Sequence, residues 1–128
     1  MITKNIIVER SKAFALRIIK LRYFLIKEKK EYIMSEQVFR CGTSVGANVK
    51  EAIRGQSKPD FCAKMNIALK EASEAEYWLE LLHESNFIAD NAFESLYSDC
   101  QEILKILVSI TKTQKKKKSN TENKEDKS

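Results

Sequence analysis

Three glycines (Gly42, Gly46 and Gly55) and one proline (Pro59) are all the chain holds of the two residues that punctuate structure most strongly. A β-sandwich or barrel needs turn signals about every eight to twelve residues, so this scarcity argues against an all-β fold. Histidine is scarcer still: His83 stands alone. With no glycine-rich phosphate loop and no Cys/His cluster at metal-ligand spacing, the sequence offers no cofactor or metal site and speaks against an enzyme. Cys41, Cys62 and Cys100 are odd in number and widely spaced. That pattern is expected of reduced thiols in a cytoplasmic protein rather than of a disulfide framework. The apolar stretch over residues 14–26 is interrupted by Arg17, Lys20 and Arg22, and no small-residue cleavage site follows. It reads as neither signal peptide nor membrane span.

What is present has a helical period. The 128 residues, 43% hydrophobic and 32% charged, suit one domain, and stretches rich in Ala, Leu, Ile, Glu and Lys point to an all-α protein. The net charge of +5 is unevenly spread. Residues 1–31 hold nine Lys/Arg against three Glu, residues 57–111 four against ten, and residues 112–128 seven against three. A basic first helix and a basic tail can form a local positive surface, and helix one can equally be neutralised by the acidic later helices.

The spacing predicts a first helix from about Lys4 to Lys30, with Ile7, Phe14, Ile18, Leu21 and Leu25 on one inward face. A second apolar set, Val8, Leu16, Ile19, Tyr23 and Ile26, lies far round the cylinder, and a solitary domain can cover only one of the two. Helix two is expected from Ser35, as N-cap, to about Ile53, with Val38, Cys41, Val45, Val49 and Ala52 inward. Gly42 and Gly46 each cost about 1 kcal/mol of helix propensity relative to Ala, and glycines four apart signal a backbone passing close by. Ser57-Lys58-Pro59-Asp60 matches a capping box with proline in the first turn.

From Phe61, apolar residues alternate four- and three-residue steps through Met65, Ala68, Ala72, Ala75, Leu79 and Leu82. Ile67, Trp78 and Leu81 lie off that seam as a second strip. Helix four is expected from Asp90 or Asn91, with Phe93, Leu96, Cys100, Ile103, Leu107 and Ile110 on its seam. Four amphipathic helices joined by short links give an antiparallel up-down-up-down four-helix bundle over residues 1–111. Apolar residues stop after Thr111, so residues 112–128 are expected to be a disordered Lys-rich tail.

Helix two carries a polar stripe, Arg40, Ser44, Asn48 and Glu51, that either faces solvent or lines the seam with helix three. In the second case a turn near residue 55 sets Arg40 level with Glu71, a pair that would fix register. No usable base lies near Ser44, so the stripe is not a catalytic site. His83, near the end of helix three, fits capping or solvent exposure. The acidic run Glu71, Glu74, Glu76, Glu80, Glu84 lacks the Glu-x-x-His partners of a di-metal site.

These residues carry a resemblance. Gln37, Arg40, Ser44, Asn48-Val49-Lys50-Glu51-Ala52, Ser57, Asp60-Phe61, Ile67-Ala68-Leu69-Lys70-Glu71-Ala72, Glu74 and Tyr77-Trp78-Leu79 resemble the four-helix-bundle family of 23S rRNA intervening-sequence proteins, also labelled S23 ribosomal protein. The resemblance covers nearly all of residues 5–111. It departs at Ala52, where many members have Gly, and in the Lys-rich tail. The family includes the accessory variability proteins of diversity-generating retroelements, which form homopentameric rings with a positive surface and associate with nucleic acid and a reverse transcriptase. For this chain the resemblance suggests a homopentamer and leaves open whether its partner is RNA, DNA or a reverse transcriptase.

The expectation is therefore a non-enzymatic oligomer that binds RNA or DNA, or a nucleoprotein partner, through Arg10, Arg17, Lys20, Arg22 and Lys27. Its copies would meet through Leu16, Ile19, Tyr23 and Ile26 together with Ile67, Trp78 and Leu81. The competing expectation is a protein-interaction scaffold with no nucleic-acid role. Binding of the basic first helix to a membrane surface is disfavoured, because helices three and four want its apolar face in the core.

Overall fold

The computed structural model describes the backbone of residues 2–126 and the side chains of residues 5–113. Within them the chain forms four helices and no strand: α1 (Ile2–Lys29), α2 (Ile33–Ile53), α3 (Lys58–Glu84) and α4 (Asp90–Asp126). Each helix packs on its neighbour in the chain, and α4 also packs on α1, while the backbones of the diagonal pairs stay apart. The expected inward stripes are the core. Ile7, Phe14, Ile18 and Leu25 of α1, Val38, Val45 and Val49 of α2, Met65, Leu79 and Leu82 of α3, and Ile103 and Leu107 of α4 are essentially removed from water. Each such side chain contributes about 1.5–3 kcal/mol by burial, which explains why a single apolar stripe per helix suffices to hold the four together.

The small residues set how close the helices come. Ser11 is buried in the α1 stripe, and its carbonyl oxygen lies 3.4 Å from where a side chain on Gly46 would begin. Gly42 is tighter: a Cβ there would stand 2.9 Å from Cγ1 and 3.0 Å from Cγ2 of Ile18. Ile18 is branched at Cβ and fully buried, so it has no alternative rotamer to retreat into. The paired glycines thus mark the approach of α1 to α2 that their spacing predicted.

Helix ends follow the sequence in part. Ser57 caps α3, its Oγ accepting from the Asp60 amide at 3.2 Å, with Pro59 in the first turn. Ser35 does not cap α2. The helix starts two residues earlier, and the Glu31 carboxylate accepts from the amides of Ile33, Met34 and Ser35 at 3.0, 2.9 and 2.7 Å. A carboxylate offers two acceptors and a negative charge to the helix N-terminus, where Ser offers one neutral hydroxyl. Ser35 is buried instead, and its Oγ finds no partner among the described residues. No glycine ends α1 or α3: Lys30 and Asn86 adopt the left-handed conformation, with φ of 54° and 66°. The amides of Asn86 and Phe87 bond back to the carbonyls of His83 and Leu82, closing α3 with a Schellman turn.

The last apolar residue of α4 is Ile110, and the helix extends past it into residues 112–126. The α4 backbone stays helical to Asp126, and residues 127–128 lie outside the described residues. Apolar residues end there, but helix propensity does not: Lys, Gln and Glu all favour helix, and no Gly or Pro interrupts.

The two glycines separate cleanly by experiment. Gly42→Ala should destabilise the fold in urea denaturation despite the better propensity of Ala, because the added methyl meets Ile18. Gly46→Ala, whose nearest contact is ordinary, should be neutral or stabilising by up to about 1 kcal/mol.

Candidate partner-binding surface

The basic residues of α1 divide by their surroundings. Arg10 donates to Glu102 and Arg17 to Asp99, each at 2.6 Å across the α1–α4 seam. These side chains are 38 to 50% exposed, so each pair adds at most about 1 kcal/mol. Their charge is nevertheless neutralised within the chain. Arg22 lies with its guanidinium 4.3 Å from the centre of the Phe39 ring of α2, a cation–π contact. Lys20 and Lys27 are exposed and have no anionic partner among the described residues. Lys12 is exposed and without an ion pair in the same way, so the positive surface is carried by the lysines of α1, and less by Arg10 and Arg17.

The second apolar face of α1 faces outward. Leu16 is 54% and Tyr23 71% exposed, while Ile19 and Ile26 are half-buried. On α3, Ile67 is exposed. Trp78 and Leu81 are half-buried, with Trp78 packed on the core and edge-on to Tyr77 at 5.5 Å. Sequence spacing missed Phe24, Tyr32 and Ile33, all exposed. The dense run of apolar residues at the end of α1 was the available signal, but periodicity does not tell which of them the link to α2 leaves uncovered.

The polar stripe of α2 is mostly local. Asn48 donates to the carbonyl and hydroxyl of Ser44, one turn back. Glu51 reaches α3 through Lys64 at 2.8 Å. Arg40 forms no ion pair with Glu71. Arg40 is exposed, whereas Glu71 is half-buried, so the two lie at different depths on the seam. Burial first, then Glu74, pushes the Glu71 carboxyl above its ordinary value, against the opposing pull of Lys70 and Arg40. The tie between α2 and α3 is thus Glu51–Lys64, not Arg40–Glu71.

At the far end of α3, His83 Nε2 lies 2.7 Å from Asp90 Oδ1, and its ring stacks on Phe93 at 4.1 Å. Tyr97 donates to Glu80 at 2.8 Å, and Gln101 to Glu76, joining α4 to α3. The hydrogen bond to Glu80, aided by burial and by the nearby Glu76, pushes the Tyr97 hydroxyl up to about 12. Burial pushes the Cys41 and Cys100 thiols up to about 12 as well. Raised thiol values are those of inert core residues, not of nucleophiles. Among the described residues no group of three or more His, Cys, Asp or Glu can hold a metal, and no helix is long and apolar enough to cross a membrane.

These features define a class: an all-α, four-helix protein whose polar side chains tie its helices together and whose exposed surface is apolar and basic along α1. The chain belongs to the 23S rRNA-intervening sequence protein family, whose profile matches residues 3–109. It is 50% identical to a protein of unknown function from the S23 ribosomal protein family of Bacteroides thetaiotaomicron VPI-5482, solved by crystallography at 1.70 Å. The two superpose with a TM-score of 0.84 over 86% of this chain and 98% of that one. No curated protein matches.

The folded-state values of Tyr97, Cys41 and Cys100 lie above the ordinary values of 10.0 and 9.0. The stability they confer is therefore whole below about pH 9 and is lost as pH rises towards 12. Urea midpoints measured across that window should fall, and Tyr97→Phe should lose less between pH 10 and 12 than the parent chain.

Proposed function

We propose that this chain is a non-enzymatic, oligomeric bundle that binds nucleic acid, or a nucleoprotein partner, through the lysines of α1. The observation that carries this reading is the exposure of Lys20 and Lys27, without anionic partners among the described residues, on the same helix as Arg10 and Arg17, which α4 neutralises. Unpaired lysines on a rigid helix favour phosphates through counterion release and need no base-specific contact. Family membership supports the reading without deciding it. A cytoplasmic location, supported by the cysteine pattern, and a reverse transcriptase partner, supported by the resemblance, are part of this proposal.

The helices are proposed to run alternately up and down. In support, partner numbers fall as residue numbers rise: Arg10 pairs with Glu102 and Arg17 with Asp99, while Gln101 meets Glu76 and Tyr97 meets Glu80. Links of only a few residues cannot return the chain to the start of a helix this long. Copies are proposed to join through Leu16, Ile19, Tyr23 and Ile26 into a ring, five-fold by analogy with the relatives. A stable contact needs about 800 Å² from each partner, and exposed Leu16 and Tyr23 offer its centre.

Filter binding with structured RNA should show affinity at low salt that falls steeply as salt rises. Lys20→Ala with Lys27→Ala should flatten the log–log salt slope by about two. Absence of binding at low salt would overturn the nucleic-acid reading in favour of a protein-interaction scaffold. For assembly, Ile19→Glu combined with Tyr23→Glu should give folded monomers in light scattering, and retained large assemblies would exclude this face.

A further inference from the structure

Phe24 is the one large apolar side chain of α1 that lines both hollows between that helix and the α3–α4 link. One hollow, of about 390 Å³, is lined by Leu21, Phe24, Ile88 and Leu96 with Arg17 and Lys20. The other, of about 420 Å³, shares Phe24, Ile88 and Ala89 and adds Lys29 and Phe87 with Asp90 at its edge. Together they form a groove, apolar at its Leu21 and Leu96 end and mixed in polarity at its Lys29 end, with an aromatic ring 41% exposed within it and cations along its α1 side. Lys29 Nζ lies 5.9 Å from the centre of the Phe24 ring. Of the acids nearby, Asp99 is engaged by Arg17, and Asp90, an exposed carboxylate that lines the second hollow, lies 2.7 Å from His83; Lys20 and Lys29 form an ion pair with neither.

A ligand suited to this groove has a flat apolar part for Phe24 and a negative charge about one lysine side chain away. A nucleotide unit with its base unstacked has both. We propose that the groove binds an unpaired base of single-stranded nucleic acid, stacked on Phe24, with the adjoining phosphates held by Lys20 and Lys29. This rests on the nucleic-acid reading above and specifies its substrate: a paired base within a duplex cannot reach the ring, whereas a single strand or loop presents its π-face freely.

Fluorescence anisotropy of the full chain with a labelled single-stranded oligoribonucleotide and with a blunt duplex of equal length tests it. The single strand should bind more tightly. Phe24→Leu, which keeps the apolar floor but removes the ring, should weaken single-strand binding about tenfold and leave duplex binding and thermal stability unchanged. Lys20→Ala should weaken both. If the parent chain binds nucleic acid but Phe24→Leu leaves the ratio of single-strand to duplex affinity unaltered, the stacking site is overturned and the nucleic-acid reading survives. If neither probe binds at low salt, both fall. Binding of phosphatidylglycerol vesicles by a chain that ignores both probes would assign the groove to a lipid and overturn the proposal.

Discussion

The contact between Ile18 and the bare Cα of Gly42 fixes how closely α1 lies on α2, and the remaining geometry is built around that approach. A methyl at residue 42 would collide with a side chain that is branched, buried and unable to move aside. With α1 held this close, its stripe of Ile7, Phe14, Ile18 and Leu25 is fully consumed by its own chain. The opposite face of the same helix is then left outside. An amphipathic helix normally has one apolar face; α1 has two, and the structure uses one of them.

The electrostatics follow from that placement. Turning its inward stripe to the core carries Arg10 and Arg17 to the α4 seam, where Glu102 and Asp99 take them up. Lys20 and Lys27 form no ion pair among the described residues. The distinction matters for function because an arginine held in a 2.6 Å pair is a poor competitor for phosphate, whereas a lysine without a partner must only shed counterions. The basic character of α1 in the sequence therefore overstates its reach: part of it is structural, and the remainder is concentrated towards the C-terminal half, where Phe24 lies in its groove.

Much of the fold was legible in the residues. The three- and four-residue apolar steps placed every inward stripe, Ser57-Lys58-Pro59-Asp60 marked the start of α3, and paired glycines announced a close backbone. Misreadings arose where a local signal met a stronger competitor. Ser35 has the right chemistry for a cap, but Glu31 brings charge and two acceptors from within the link. Arg40 and Glu71 stand level along the chain, but one is exposed and the other half-buried, and Glu51–Lys64 ties the helices instead.

Periodicity, capping residues and the near absence of glycine and proline determined four helices and their inward faces, because those depend on interactions between residues a turn or less apart. Which arginines are neutralised, which acid meets which base, and that Phe24 borders hollows under the α3–α4 link were decided only by tertiary structure. Such facts depend on the rotation and depth of one helix against another, and a single chain's spacing carries no record of either.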